Sequence, residues 1–308
     1  MGSMLSTRTC GQPWKPPAAR RRLAVGCVLA VAASAGIFAL ADGPRASGGV
    51  SFAVIGDSGT GKPTQLAIAN AMAAHKERDP FEFVVMLGDN IYGGIKGRRS
   101  FEQRFEKPYR TLLDQGVKFY AVLGNHGNSK AELNYEGFNM EGRRYYTFTR
   151  GDGLLQFFAL HSSRMDAAQI EWLEKELAAS TAKWKIAMLH HPIYSSARKH
   201  GPNTRLRRAI EPLLIKYKVN VVLAGHEHVY ERLKPHQGVH YFISGAAGYV
   251  RNGDSRRSHP DYAAGYDEDC HFMVFDVRAD SLRFQAVNAK GDVVDSGTIA
   301  AGAGEGDK

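Results

Sequence analysis

The feature that most restricts the fold of this chain is a set of five short apolar segments that each precede a residue able to bind a metal ion. Segments with the apolar spacing of helices separate them, and this alternation predicts an α/β fold with parallel strands. In such sheets, ligands bind just beyond the carboxyl ends of the strands. Five such coincidences are improbable by chance, so we predict one shared site. The apolar segments span 50–55, 81–87, 117–123, 184–189 and 219–224, and the residues after them are Asp57, Asp89, Asn125, His190 and His226.

The residue types at these positions suit a site for two metal ions. Carboxylates, amide oxygens and imidazoles are common ligands of divalent cations. Asp89 could bridge two ions, Asn125 offers a neutral oxygen, and His228 follows His226 at a spacing that places both on one side of an extended segment. Two ions about 3.5–4 Å apart can hold the attacking and leaving oxygens of a phosphoryl transfer. The pattern therefore favours phosphoryl-transfer chemistry.

The segment IGDSGTGKPT, residues 55–64, supports a second interpretation. The spacing of its glycines and Lys62 is that of a phosphate-binding loop, which would make the chain a nucleotide-binding protein. That loop requires Ser or Thr directly after the lysine to hold Mg²⁺, and Pro63 occupies this position. The interpretation also leaves the amide and imidazole candidates without a role. We therefore predict that Asp57 is the functional residue of this segment.

Residues 1–41 differ in composition from the rest of the chain. Five basic residues and no acidic residue precede an uncharged stretch of 19 residues, 23–41, which ends in Ala39-Leu40-Ala41. This order is typical of a secretory signal peptide that is cleaved before Asp42. A retained membrane anchor is the alternative, because an apolar stretch of this length can just span a bilayer. The sequence therefore predicts a secreted or periplasmic protein, or an anchored one whose functional domain lies outside the cytoplasm.

Charge and cysteine content limit the possible partners and bonds. The chain has 40 basic and 31 acidic residues, and cleavage of the leader removes five basic ones, so the positive excess falls from nine to four. A charge this small gives no support to nucleic-acid binding. Of Cys10, Cys27 and Cys270, only Cys270 lies outside the leader, which excludes an internal disulfide in the cleaved protein.

The chain after the leader reads as one domain. A Gly/Ser-rich linker at 42–49 precedes the first apolar segment, and neither an internal repeat nor a second linker follows it. We predict one domain over 50–300, which is long enough to bury a full core, and a flexible tail over 301–308.

Five sequence blocks carry a resemblance to a known family. GDSG, GDNIY, GNH, MLHH and GHEH resemble the signature blocks of the calcineurin-like metallophosphoesterases, and more narrowly those of the purple acid phosphatases. Gly59 stands where most of the superfamily has a histidine ligand, and Tyr92 follows Asp89 by three residues, an exchange that marks the purple acid phosphatases. HGPN (200–203) and ISGAAG (243–248) are similar to the small, tartrate-resistant type. The resemblance implies a four-layer αββα sandwich of two mixed sheets.

The resemblance also implies the ligands and the metals. The phenolate of Tyr92 implies Fe³⁺ with a purple charge-transfer band, and the second ion would be Fe²⁺, Zn²⁺ or Mn²⁺, because ligand type alone does not choose among them. A hydroxide that bridges the metals is the implied nucleophile. His126 and His200 match the family's histidines that bind phosphate and assist the leaving group. One metal ion would be bound by Asp57, Asp89, Tyr92 and His228, and the other by Asp89, Asn125, His190 and His226.

Three features depart from the tartrate-resistant type. His200 lies ten residues after His190, which is one residue more than that type predicts. His191 directly follows the ligand, at a position where that type has another residue. The segment 251–271 has no counterpart that the resemblance identifies.

The sequence therefore predicts an acid phosphatase, a hydrolase of phosphate monoesters that acts as a monomer on a small phosphate ester. A phosphodiesterase of the same superfamily, acting on nucleotides or lipids, is the main alternative, because its metal site would be almost identical. An exported metal-binding module without activity is a more remote alternative. We expect no nucleic-acid partner, and a membrane association only if residues 1–41 are retained.

Overall fold

Thirteen β-strands and six α-helices occur within residues 48–302, which are the residues that the computed structural model describes. The strands are β1 (Val50–Ile55), β2 (Phe83–Met86), β3 (Lys118–Ala121), β4 (Tyr146–Arg150), β5 (Leu155–Ala159), β6 (Trp184–Leu189), β7 (Val221–Ala224), β8 (Tyr230–Leu233), β9 (His240–Ser244), β10 (Tyr262–Tyr266), β11 (His271–Val277), β12 (Ser281–Asn288) and β13 (Val293–Ala300). The helices are α1 (Pro63–Arg78), α2 (Arg98–Phe101), α3 (Arg110–Asp114), α4 (Ser129–Leu133), α5 (Ala167–Ala179) and α6 (Thr204–Lys216). A π-helical turn covers Glu102–Glu106, and 3₁₀ turns cover Glu136–Phe138 and Ser162–Arg164.

The strands form two mixed sheets. The first sheet has the order β13-β12-β11-β1-β2-β3, in which β1, β2 and β3 run parallel and the last three strands of the chain run antiparallel. The second has the order β10-β8-β9-β7-β6-β5-β4, with β5, β6, β7 and β9 parallel at its centre. The parallel strands of each sheet end at one edge, and the predicted site residues follow these ends.

The two sheets pack face to face through aromatic side chains. The Phe52 ring of β1 meets the Phe157 ring of β5 edge-on at 5.1 Å, and Phe242 of β9 meets Phe275 of β11 at 5.7 Å. Edge-on pairs of this kind contribute about 0.5–1.5 kcal/mol beyond the burial of their area. Because side chains alternate along a strand, the neighbouring Phe158 faces the opposite way and joins the core beneath α5 and α6.

Helices cover the outer faces of both sheets. Helix α1 buries Ile68 and Met72 and lies against β11 of the first sheet. Helices α5 and α6 bury one leucine-rich face each against the second sheet. Both begin at side-chain caps, since Asp166 accepts a hydrogen bond from the Gln169 N–H at 3.1 Å and Asn203 accepts one from the Leu206 N–H at 2.9 Å. The result is the predicted αββα order of layers.

Two strands lack the apolar pattern that reveals a strand in the sequence. Strand β8 has the sequence YERL, whose charged residues hide its apolar alternation, and the edge strand β10, YAAGY, contains Gly265 and lacks apolar bulk. Both lie after the last of the five apolar segments, 219–224, on which the predicted site was based. The segment 251–271, which had no predicted role, contains β10 and packs on the loop 195–200.

The predicted leader, residues 1–41, lies outside the described residues, as do most of the predicted linker and most of the tail. Within residues 48–302 no helix has both the length and the apolar character needed to cross a bilayer. The choice between a cleaved leader and an anchor therefore stays a prediction. Cys270, the one cysteine in this range, is buried and free.

Candidate metal centre

Three donor atoms of the first predicted ligand set surround one point. The Tyr92 hydroxyl lies 3.1 Å from Asp57 Oδ1 and 3.2 Å from His228 Nε2. His228 Nε2 lies 3.4 Å from Asp57 Oδ1. Asp57 follows β1, Tyr92 lies in the loop after β2, and His228 lies between β7 and β8. Segments from both sheets therefore bring a carboxylate, a phenol and an imidazole together.

A second cluster contains the remaining amide and imidazole candidates. His190 Nε2 lies 2.8 Å from Asn125 Oδ1 and 3.2 Å from His226 Nδ1. These residues follow β3, β6 and β7. His190 is buried whereas Asn125 is exposed, so the cluster has a closed floor and a side open to solvent.

Asp89 lies between the two clusters. Its Oδ1 atom lies 3.5 Å from His190 Nε2, and its carboxylate also interacts with the Tyr92 hydroxyl. The same Oδ1 accepts a hydrogen bond of 2.8 Å from the backbone N–H of His126. Asp89 is almost fully buried. The structure thus places Asp89 where a ligand shared by two metal ions is predicted.

The proton positions in the second cluster fit a cation. His190 Nδ1 lies 2.9 Å from the Leu87 carbonyl oxygen, which can only accept, so Nδ1 carries the proton. When this ring is neutral, as a metal ligand must be, Nε2 has a free lone pair that faces Asn125 Oδ1 and the ring nitrogen of His226. Lone pairs that converge at such distances are stabilised by a cation between them. The donor set therefore fits a bound metal ion.

The pKa shifts of the site residues also fit a bound metal ion. Burial, followed by the neighbouring carboxylates, raises the pKa of Tyr92 far above its ordinary value, so its phenolate form requires a strong cation beside the oxygen. Burial also opposes ionisation of Asp57, but protonated His190 and His228, together with hydrogen bonds from His228 and the His226 N–H, outweigh it and hold the pKa of that carboxyl below its usual value. Burial and then His190 lower the pKa of His226 to about 3, which keeps its imidazole neutral and able to bind a metal.

The backbone is strained at three of the donor residues. Asp57, Asp89 and His226 have φ angles of 55°, 49° and 70°, in the left-handed region that residues other than glycine seldom adopt. Such strain costs about 1–3 kcal/mol per residue and concentrates at functional sites. Hydrogen bonds hold these residues in the strained conformation, among them one of 2.8 Å from the His226 N–H to Asp57 Oδ2. The site also requires glycine at position 124, because a Cβ there would overlap the Asp89 carboxylate.

The two predicted acid–base histidines flank the clusters. The ring of His126 lies 5.1 Å from that of Tyr92, and the ring of His200 stacks on that of His226 at 4.4 Å. Both are exposed to solvent, and so to a substrate. Burial, and then the positive charge of Arg251, lower the pKa of His200, so a protonated donor at this position requires acidic conditions.

Sequence comparison identifies the family. A family profile described as calcineurin-like phosphoesterase matches residues 50–230, which is more than half of the chain. The chain belongs to the calcineurin-like phosphoesterases. The matched range begins at β1 and ends at β8, and it contains all seven predicted metal ligands together with His126 and His200.

Two relatives similar in sequence are named acid phosphatases. Purple acid phosphatase 7 of Arabidopsis thaliana is 26% identical over 289 residues, which cover 83% of this chain and 88% of that protein. Tartrate-resistant acid phosphatase type 5 of Homo sapiens is 27% identical over 250 residues, which cover 68% of this chain and 76% of that protein. The predicted resemblance to the purple acid phosphatases, and the predicted phosphoesterase class of enzyme, are confirmed.

Solved structures share the fold. A purple acid phosphatase, PPD1, from seeds of yellow lupin (Lupinus luteus) superposes with a TM-score of 0.69 at 20% identity, over 83% of this chain and 55% of that one. GAP50 of Plasmodium, described as the anchor in the inner membrane complex, superposes with a TM-score of 0.73 at 20% identity, over 82% and 89%. The predicted calcineurin-like fold is confirmed.

Glu227 is a supporting residue of this phosphoesterase site that the sequence analysis did not identify. It is fully buried between the two histidines of the GHEH block. Its Oε1 atom accepts hydrogen bonds from the N–H groups of His200 at 3.1 Å and Gly201 at 2.7 Å. Its Oε2 atom lies 3.4 Å from His200 Nδ1 and 3.5 Å from an Arg251 nitrogen. Glu227 therefore fixes the loop that carries His200, and an acid between two ligand positions was the signal that could have revealed it.

The segment 251–271 supports the same loop from the other side. Arg251 donates from its backbone to the His228 carbonyl at 2.8 Å and pairs with Asp254 at 3.2 Å. The Asp254 carbonyl accepts a hydrogen bond of 2.9 Å from the Arg198 N–H, two residues before His200. The segment that departs from the family pattern thus helps to hold the proposed second acid–base residue in position.

His191 forms a further contact beside the second cluster. Its backbone N–H donates to Ser162 Oγ at 2.9 Å, which leaves the hydroxyl proton for His191 Nδ1, also at 2.9 Å. The ring lies 4.5 Å from that of His226. Burial and then the charge of His190 lower the pKa of His191 to about 4, so this additional imidazole is neutral at pH 7.

Proposed function

We propose that the protein is an acid phosphatase of the purple acid phosphatase type, which hydrolyses phosphate monoesters at a dinuclear metal centre. The observation that carries this proposal is the contact of the Tyr92 hydroxyl with Asp57 and His228 at 3.1 and 3.2 Å. It puts a phenol oxygen in the first cluster, where the sequence has Gly59 in place of the usual histidine. Relatives named purple acid phosphatase and tartrate-resistant acid phosphatase support the proposal.

The chain offers ligands for two different ions. Asp57, Asp89, Tyr92 and His228 would hold Fe³⁺, because a phenolate selects a hard cation, while Asp89, Asn125, His190 and His226 would hold Fe²⁺, Zn²⁺ or Mn²⁺. When bound, the ions supply positive charge that attracts a phosphate dianion and stabilises the charge developed during hydrolysis. Two carboxylates and one phenolate leave that charge only partly neutralised.

Residues at the rim would act on the ester. His126 is exposed, and its backbone N–H is fixed by Asp89 at 2.8 Å, so its ring can reach only a limited region above the clusters. We assign it the binding of phosphate and the donation of a proton to the leaving oxygen, an effect worth typically ~10²–10⁴-fold. His200, held by Glu227 on the side of His226, would assist.

The proposal is tested by the rates on two substrates. Purified, metal-loaded protein should hydrolyse p-nitrophenyl phosphate faster than bis-p-nitrophenyl phosphate, with an optimum at acidic to near-neutral pH. A preference for the diester would favour the phosphodiesterase alternative. If the protein binds both metals but hydrolyses neither ester, the metal-binding module without activity would be the remaining alternative.

We also propose that the domain works as a monomer outside the cytoplasm. The signal-like composition of residues 1–41 supports export. Size-exclusion chromatography with light scattering of the protein without its leader should give the mass of one chain.

A further inference from the structure

A polar cavity of about 350 Å³ lies beside residues that contact the loops of the proposed metal centre. It lies between the 3₁₀ turn Ser162–Arg164 and the start of α6, and its lining includes Ser162, Ser163, Arg164, Asp166 and Arg205. This volume lies at the lower end of the range of about 300–1,000 Å³ that is usual for small-molecule sites, which suits a compact ligand.

Two contacts connect the lining of the cavity to residues next to the proposed ligands. Ser162 Oγ lies 2.9 Å from His191 Nδ1, and His191 is next to the ligand position His190. Ser163 Oγ donates to the Gly124 carbonyl at 3.3 Å, directly before Asn125 in the loop that also carries His126. The lining of the cavity is therefore linked to the second cluster through His191 and to the loop of the proposed proton donor through Ser163.

The lining of the cavity carries a net positive charge. Asp166 accepts a hydrogen bond from the Gln169 N–H at 3.1 Å and lies 3.5 Å from Arg144 and 3.3 Å from Arg164, so its negative charge is already engaged. Arg205 is exposed, and no carboxylate within residues 48–302 pairs with it. Arg205 is therefore the cation that can meet an incoming anion.

We propose that this cavity, formed by Ser163, Arg164 and Arg205, binds a second anionic group on the leaving-group side of the substrate. The favoured substrates are then compact phosphate monoesters that carry a carboxylate or a further phosphate near the ester oxygen. This inference rests on the proposed phosphatase activity and specifies its substrate class.

A matched pair of substrates tests the inference. Glycerol 2-phosphate and 2-phosphoglycerate share one carbon skeleton, but a carboxylate in the second replaces a hydroxymethyl group in the first. The ratio of their kcat/KM values should favour 2-phosphoglycerate in the wild-type protein. In Arg205→Glu this ratio should fall about tenfold, mainly through KM, because an attraction is lost and a repulsion is added at a partly solvated site. Arg208→Glu, an exposed charge reversal on the same helix but away from the cavity lining, should leave the ratio unchanged.

The outcomes separate the inference from the proposed function. Activity of both variants on p-nitrophenyl phosphate shows that the metal centre is intact. An unchanged ratio in Arg205→Glu, or an equal fall in Arg208→Glu, would overturn the inference while the phosphatase activity stands. A wild-type protein that hydrolyses none of the three esters would overturn the proposed function and the inference together.

Discussion

Glu132 is a buried carboxyl group that connects the two loops behind the proposed metal centre. Its Oε2 atom accepts a hydrogen bond of 2.9 Å from the Asn90 side chain, directly after Asp89, and its Oε1 atom accepts one of 3.2 Å from the Asn128 N–H, two residues after His126. Burial raises the pKa of Glu132 from 4.5 to about 7. The folded state therefore favours the protonated acid, and its stability falls as the pH rises from the unfolded pKa through the folded one.

Glu132→Gln removes this titration. With pKa values of 4.5 unfolded and about 7 folded, the wild-type protein loses about 2.5 kcal/mol of unfolding free energy between pH 5 and pH 8 through this one group. The Glu132→Gln variant does not lose this unfolding free energy, because glutamine does not titrate. It does carry a cost that is independent of pH, because its NH₂ group cannot accept the hydrogen bond from Asn90. The diagnostic quantity is therefore the slope of stability with pH.

Urea unfolding at pH 5, 6.5 and 8 measures that slope. With both proteins free of metal, the unfolding free energy of the variant minus that of the wild type should rise by about 2.5 kcal/mol over this range. Glu136→Gln, at an exposed position four residues further on, is the matched control and should leave the slope unchanged. If the unfolding free energies of the wild type and Glu132→Gln changed equally with pH, the proposed titration of Glu132 would be refuted.

Three further predictions concern the proposed acid–base residues and the leader. His126→Ala should retain both metal ions and lose roughly 10²–10⁴-fold in kcat, less for aryl than for alkyl phosphates, whose leaving groups need more protonation; equal losses would make His126 a phosphate-positioning residue only. Glu227→Ala deprives the His200 and Gly201 N–H groups of their acceptor, so urea unfolding should show that the unfolding free energy falls by about 2–4 kcal/mol. A fall below about 0.5 kcal/mol, the size expected of a surface substitution, would contradict the structural role of buried Glu227. N-terminal sequencing of secreted protein should start at or near Asp42, whereas full-length protein in the membrane fraction would show a retained anchor.

Five of the candidate donors could be located from the sequence because strand ends and the polar residues after them are local features, whereas Tyr92 was assigned from the family resemblance. The apolar segments 50–55 and 184–189 are strands with those bounds in the structure, and the residues that follow them enter the clusters. Once parallel strands share an edge, residues after different strands must lie close together. This argument covers residues of one sheet, such as Asp57 and Asp89. Asp57 and His226, 169 positions apart, follow strands of different sheets, so their meeting also depends on how the two sheets pack, and the structure joins them by a hydrogen bond.

The supporting residues could not be predicted in the same way. Glu132 and Ser162 act through tertiary contacts with segments 42 and 29 positions away, and neither lies in a recognisable motif. Strand β10 and the segment around Arg251 are held by pairing with neighbours, not by their own apolar pattern. A buried carboxylate such as Glu227 is also unexpected from composition alone, since its place depends on backbone N–H groups that only the folded loop provides.

The visible spectrum and metal content of the purified protein, compared with those of Tyr92→Phe, test the central claim most directly. The Tyr92 oxygen lies 3.1 Å from Asp57 Oδ1 and 3.2 Å from His228 Nε2, so it is placed to bind the same ion as they do. We predict two metal ions per chain, at least one of them iron, and a broad visible absorption that disappears in Tyr92→Phe. A colourless wild-type protein with two zinc ions would contradict the assignment to the purple acid phosphatases, and a coloured Tyr92→Phe protein would contradict the role of Tyr92.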